Sequence, residues 1–274
     1  MNPFQLFWQN VLVNPIINIL IAFYKLFTVA HIPGALGFAV IGLTIVIRLI
    51  LYPLMAAQLR SAKKMQKLKP HLDALNVKHK NDKQALQSAQ MALYKEHGVN
   101  PAAGCLPLLI QMPVLIALYG VFYQVLNTGN IAKEVKTINS VLYNPALKIT
   151  HLDLSFFGVN LGVKPAQWQH FGWWLLAIPV ITAALQWYQS KLMMAGMVNQ
   201  TPALAKKEPA DAKALAGKEK SPEDSAMEMQ KQMAIITPLM FGYFAFQFPV
   251  GLALYWNVFG LFGIIQQLAI NKEK

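Results

Sequence analysis

The sequence predicts an all-α membrane protein built on five transmembrane helices, and three observations predict it. Hydrophobic residues make up 55% of the 274-residue chain and charged residues only 13%, against about 25% charged in soluble domains. The apolar residues gather into runs long enough to cross a bilayer, for which about 18 suffice. The basic residues gather between those runs, and their density alternates from one connection to the next, as the positive-inside rule requires.

The N-terminal segment, 1–35, holds an apolar run at 11–30 that is interrupted by Asn14-Pro15 and ends near Lys25. It is long enough to span, and also suits a helix lying in the membrane interface. The interfacial reading is favoured, because an odd number of later spans agrees with the charge pattern. Residues 1–24 carry no Lys or Arg, so the basic region of a secretory signal is missing, and Thr28-Val29-Ala30 resembles a cleavage site only faintly. No cysteine stands near the N-terminus, so lipidation there is not expected.

The core is expected over 36–270, with spans at 37–57, 105–126, 172–191, 233–248 and 252–270. The first holds 21 residues, about 32 Å of helix. The fourth is short, and Phe248-Pro249-Val250-Gly251 turns it into the fifth. Connection 58–104 carries nine Lys/Arg and three acids, 127–171 carries four and two, and 192–232 carries six and six. Lys191 borders the last of these, and the tail adds Lys272 and Lys274. The first and third connections are therefore expected in the cytoplasm, with the N-terminus outside and the C-terminus inside. Trp173 and Trp174 then mark the outer interface, and Trp187 and Tyr188 the inner one.

Within 58–104, Met65, Leu68, Leu72 and Leu75 recur at helical spacing, as do Leu86, Ala89 and Leu93. Asn81 or Asp82 can cap the second helix, and Gly98 can stop it before Asn100-Pro101. This predicts a cytoplasmic helical hairpin, either simply solvated or a docking surface. Within connection 192–232, residues 198–226 are rich in Ala, Lys, Glu and Pro and lack aromatics. Such a stretch cannot bury enough apolar area to order itself, and is expected to be a flexible linker.

The net charge of +12 is accounted for by the positive-inside rule and anionic membrane lipids. DNA is not expected as a partner, and ribosomal RNA stays a candidate. The single cysteine, Cys105, rules out an internal disulfide, and no Cys/His cluster suggests zinc. None of the six histidines lies in a span and no phosphate-binding Gly-Lys loop is present, so neither an intramembrane Ser/His dyad nor nucleotide chemistry is expected. No cofactor is expected.

Arg48 stands midway along the first span. A central arginine costs about 2.5–3.5 kcal/mol on insertion scales, and the eleven Leu, Ile, Val and Phe residues of the span return roughly 3–7 kcal/mol. The helix can insert, but the arginine needs a reason. No Asp or Glu occurs in any of the five spans, so an intramembrane ion pair cannot be that reason, while backbone carbonyls and water can still satisfy the group. Thr44 and Tyr52 lie one turn to either side of it. Gln111 lies in the second span. Thr182, Gln186 and Gln189 form a stripe in the third, Tyr255, Trp256 and Asn257 open the fifth, and Gln266-Gln267 close it. Each alone reads more simply as an interhelical hydrogen bond, but several facing one arginine make a hydrophilic cavity. Pro53, Pro107, Pro113, Pro179 and Pro238 punctuate the spans and suit either packing kinks or backbone lining a cavity.

Four stretches resemble the YidC/Oxa/Alb family of membrane-protein insertases, most closely its bacterial YidC branch: IVIRLILYPL around Arg48, MALYKEHGVNPAAGCLPLLIQMPVLIALY at 91–119, MQKQMAIITPLMF at 229–241, and PVGLALYW with IIQQ between 249 and 267. The resemblance runs from about 36 to 270. It implies five helices around a hydrophilic groove that is open to cytoplasm and lipid and closed outside. The groove arginine attracts a hydrophilic, often acidic, client segment, and the client's apolar helix passes into lipid along the second and fourth spans. Thr44, Gln111 and Trp256 match groove positions, and the hairpin receives clients. The chain departs from the pattern in lacking a large external domain and a basic C-terminal tail, in carrying Asn257 and Gly260 where many relatives have an apolar residue and Asn, and in its longer linker.

The expected function is therefore that of a non-enzymatic insertase and chaperone of a bacterial plasma membrane. Its substrate groove is formed by Arg48, Thr44, Tyr52, Gln111, Gln186, Tyr255, Trp256 and Asn257. Its partners are nascent membrane-protein clients and membrane lipids, with the ribosome and a Sec-type translocon as further candidates. A carrier for small anions would also suit a buried arginine, but not a bulky hairpin. A purely structural assembly chaperone would suit the same residues.

Overall fold

The structure is a computed structural model and describes residues 2–79, 82–99, 112–116, 118–120, 131–198 and 222–272. The chain is a mostly helical membrane protein. Among the described residues, three helical stretches are long and apolar enough to cross a bilayer: Gln5–Val29, Ala35–Ser61 and Val250–Ile270. Ala234–Gln247 is apolar but shorter.

The chain begins with α1 (Pro3–Trp8), a π turn (Gln9–Val13) and α2 (Asn14–Val29), which run on without a break. Pro15 has no N–H and would crowd the carbonyl four residues earlier. The wider π turn just before it relieves that crowding, so the proline does not end the helix. The helix thus starts well before the apolar run expected at 11–30.

After a short corner, α3 (Ala35–Lys78) runs for 44 residues. At about 1.5 Å per residue that is about 66 Å, twice the thickness of a bilayer core. The first span and the first arm of the expected hairpin are therefore one helix, which carries Pro53 and Pro70 in its interior. The second arm, α4 (Lys83–Glu96), folds back, and Asp82 caps it by accepting from the backbone N–H groups of Gln84 and Ala85 at 3.1 and 2.9 Å. The arms share a small apolar core of Leu68, Leu72 and Val99, flanked by Met65, Leu93 and Tyr94. The amide of Gln90 also donates to Asn76 Oδ1 at 3.4 Å.

Residues 112–116 and 118–120 are helical. The rest of the expected second span, including Cys105 and Gln111, lies outside the described residues. Beyond it come α5 (Ile131–Ser140), a hairpin of β1 (Ser155–Phe156) and β2 (Val159–Asn160), and α6 (Trp168–Phe171). β1 and β2 pair antiparallel with Phe156 opposite Val159. The two residues between them, Phe157 and Gly158, both have positive φ, 49° and 80°, the geometry of a tight primed turn. The turn pushes Phe156 into the corner between α2 and α3. A β-carbon at Gly37 would lie 2.0 Å from the Phe156 ring, so only glycine fits there.

Polar side chains of α2 hold the same region. Asn18 donates to Val141 O at 2.9 Å and accepts from Tyr143 N at 2.7 Å. The Tyr24 hydroxyl accepts from Asp153 N at 3.0 Å, and Lys25 donates to the carbonyls of Ala146 and Lys148.

The third expected span begins with a 3-10 turn (Trp173–Leu176) and continues as α7 (Ala177–Val198), several residues past the expected end at 191. α8 (Pro222–Gln247) likewise starts before the expected fourth span and takes in the end of the expected linker. The remainder of that linker lies outside the described residues. α9 (Val250–Lys272) follows Pro249 at once. The first N–H groups of a helix have no partner within it. Here Val250 N donates to Val163 O at 2.9 Å and Gly251 N to Leu161 O at 2.8 Å. The 131–176 region is thereby tied to α2, α3 and α9. In the bundle α7 packs on α8 and α9, and α9 on α3.

Candidate functional site

Arg48 lies on the face of α3 that meets α9, and only 5% of it is exposed. Its Nη2 donates to the carbonyl of Phe259, and its guanidinium carbon stands 3.5 Å from the centroid of the Phe259 ring. A single α9 residue thus supplies both a carbonyl dipole and a π face to the cation. Arg48 Nε is buried and has no hydrogen-bond partner. Tyr255, one turn before Phe259, is fully buried with its ring centroid 5.7 Å from that of Phe259.

Two glycines of α9 make room for this arrangement. A β-carbon at Gly263 would lie 2.6 Å from Gln189 Nε2 and 2.8 Å from Arg48 Nη2. One at Gly260 would lie 3.5 Å from Gln186 Nε2 and 4.0 Å from Gln189 Oε1. The glutamine stripe of α7 and the glycine stripe of α9 therefore face each other beside the arginine. Gly260, where the family resemblance leads one to expect asparagine, opens space that the α7 amides approach.

The other candidate residues are distributed unevenly. Thr44 is fully buried, but its hydroxyl donates to Val40 O at 2.7 Å within its own helix. Tyr52 is 49% exposed, and only its backbone carbonyl turns to α9, accepting from Gln266 Nε2 at 3.4 Å. Trp256 is buried between α8 and α9, with ring centroids 5.5 Å from Phe241 and 5.8 Å from Phe248, and its Nε1 has no partner. Asn257 is half-buried with Oδ1 unpartnered. Gln111 lies outside the described residues. Arg48 and Tyr255 are thus brought against Phe259 and Gln186 beside Gly260, whereas Tyr52 and Trp256 face elsewhere. Phe259, Gly263 and Gln189 complete the cluster. Gln189 was legible as part of the polar stripe of the third span, whereas Phe259 and Gly263 carried no signal in the apolar run of the fifth.

Residues 27–274 match the 60Kd inner membrane protein family. The chain belongs to this family. It is a multi-pass bacterial membrane protein of the YidC insertase family and not an enzyme. The chain is similar to the membrane protein insertase MisCA of Bacillus subtilis (strain 168), at 32% identity over 269 residues, covering 97% of this chain and 79% of that protein. It is similar to the membrane protein insertase YidC 2 of Bacillus anthracis, at 31% identity over 268 residues, covering 96% and 81%. The membrane protein insertase YidC of Helicobacter pylori (strain J99 / ATCC 700824) is 32% identical over 240 residues, which are 87% of this chain and 33% of that one. The chain therefore spans most of the length of its Bacillus relatives and about a third of its Helicobacter relative. A crystal structure described as an active YidC insertase with its first transmembrane domain resolved matches at a TM-score of 0.49 and 25% identity, covering 93% of this chain and 45% of that one.

Proposed function

We propose that the chain draws hydrophilic segments of client membrane proteins into an intramembrane groove centred on Arg48 and releases their apolar helices into the bilayer. The observation that carries this is the state of the arginine. It is buried against the carbonyl and ring of Phe259, in a bundle whose five expected spans contain no Asp or Glu. Its charge is solvated by dipoles and neutralised by no acid of the spans, so an incoming carboxylate meets an uncompensated cation. At an effective dielectric of about 20, one such pair at about 4 Å gains about 4 kcal/mol before desolvation.

The reading includes five spans, with the N-terminus outside, the C-terminus in the cytoplasm, and the α3–α4 hairpin extending into the cytoplasm. The segment α1–α2 lies along the outer interface. Its Asn18, Tyr24 and Lys25 all bond to residues 141–153, which the charge bias puts outside. Clients and lipids are the partners, with the ribosome and a Sec-type translocon as further candidates.

The test is reconstitution of the purified protein in liposomes, with insertion of a single-span client scored by protease protection. Insertion of a client with an acidic tail is expected, as is its loss in Arg48→Ala. Insertion by Arg48→Ala at the wild-type level would overturn the reading.

A further inference from the structure

Gln58 is on α3, ten residues after Arg48, about 15 Å along the helix. It lies near the end of the apolar span Ala35–Ser61. It is only 5% exposed, yet both Oε1 and Nε2 are buried without a hydrogen-bond partner. Arg48, Trp256 and Asn257 each leave one polar atom in that condition, whereas Gln58 leaves a donor and an acceptor. A position that needed only packing would be served better by Leu or Met, which fill the same space with no polar atom to satisfy.

A carboxamide carries an N–H donor and a C=O acceptor side by side, the pair that one peptide unit also presents. A polypeptide that enters an apolar bundle in extended form brings such a pair, unmet, at every residue. We propose that Gln58 is a hydrogen-bonding site for the backbone of an entering client, placed between the hairpin and Arg48. It reads polypeptide irrespective of charge, whereas Arg48 reads charge. The proposal rests on the reading of the Arg48 cluster as a client groove. The 15 Å between the two positions corresponds to about five residues of extended chain.

The experiment uses the full-length protein in proteoliposomes, with single-span clients carrying acidic or neutral tails. Gln58→Leu keeps the volume and removes both polar atoms. Its melting temperature is expected to be unchanged or higher, while insertion falls roughly three- to tenfold, the equivalent of one hydrogen bond, for both tails alike. A photoreactive residue at position 58 is expected to crosslink the hydrophilic segment of an arrested client, about five residues from its acidic group. Full insertion by Gln58→Leu would overturn the proposal. So would a melting temperature that falls together with insertion, which marks a structural contact, or crosslinks to lipid alone. A failure of the groove reading is separate, since it shows as undiminished insertion of acid-tailed clients by Arg48→Ala.

Discussion

Arg48 and Gly263 are set so closely that a β-carbon on the glycine would come within 2.8 Å of the arginine Nη2. The same β-carbon would come within 2.6 Å of Gln189 Nε2. Glycine inside a helix ordinarily costs about 1 kcal/mol relative to alanine, and here the cost gives the guanidinium its seat against Phe259. Gly263→Ala should therefore change melting only slightly, because the displaced groups are the ends of flexible side chains and the helix gains propensity. Insertion of acid-tailed clients should fall, as Arg48 is pushed off the Phe259 carbonyl. Adding Gln189→Ala should restore part of it by making space. Wild-type insertion in the single variant would show that the seating of the arginine is immaterial.

Lysine at position 48 keeps the charge but has neither the planar fork nor the ring-stacking surface of guanidinium. If charge attraction dominates, Arg48→Lys retains much of the insertion of acid-tailed clients. Arg48→Ala then loses those clients and spares neutral-tailed ones. Protease protection with tail charge varied against both variants decides the matter. Equal losses for the two tails in Arg48→Ala would assign the arginine a structural role.

The Phe156 ring fills the place where a side chain on Gly37 would project, 2.0 Å from the built β-carbon. Gly37→Ala should cost about 1–3 kcal/mol through overpacking, read as a lower melting temperature in detergent. Phe156→Leu in the same chain should recover part of the loss. A neutral Gly37→Ala would mean that the hairpin β1–β2 yields freely, and that it does not hold the α2–α3 corner.

The hairpin has its own apolar core in Leu68, Leu72 and Val99. Replacing residues 62–96 by a short Gly/Ser bridge is therefore expected to leave a membrane-integrated protein that inserts clients poorly. Because α3 is continuous through position 60, the bridge has to begin beyond the span, which ends at Ser61. Carbonate extraction measures integration, and client insertion measures activity. Full activity after deletion would remove the hairpin from client handling.

Topology is tested with single cysteines in a Cys105→Ser background. A cysteine at Lys148 should react with an impermeant reagent in intact cells, and cysteines at Lys80 and Lys213 should react only after permeabilisation. The reverse pattern would invert the arrangement.

The sequence by itself determined that the chain enters a membrane, roughly where its apolar helices lie, and that Arg48 needs a reason to be there. These follow from transfer free energies and charge counts, which are properties of each segment taken alone. Asp82 as a helix cap was legible for the same reason, since capping is local. The continuity of α3 was less so, because the span ending at 57 and the hairpin arm around Met65–Leu75 read as separate helices, whereas one helix carries both with Pro53 and Pro70 in its interior. The surroundings of Arg48 were decided only by tertiary structure. Its carbonyl partner is 211 residues away, on a helix whose facing depends on how α3, α7 and α9 pack together. Tyr52 and Trp256 share the polarity and the approximate depth of the site, yet the rotation of α3 turns Tyr52 outward and the aromatic cluster of α8 takes Trp256. Phe259 and Gly263, unremarkable in an apolar run, meet the arginine because a carbonyl oxygen and the absence of a side chain leave almost no signature in the sequence pattern.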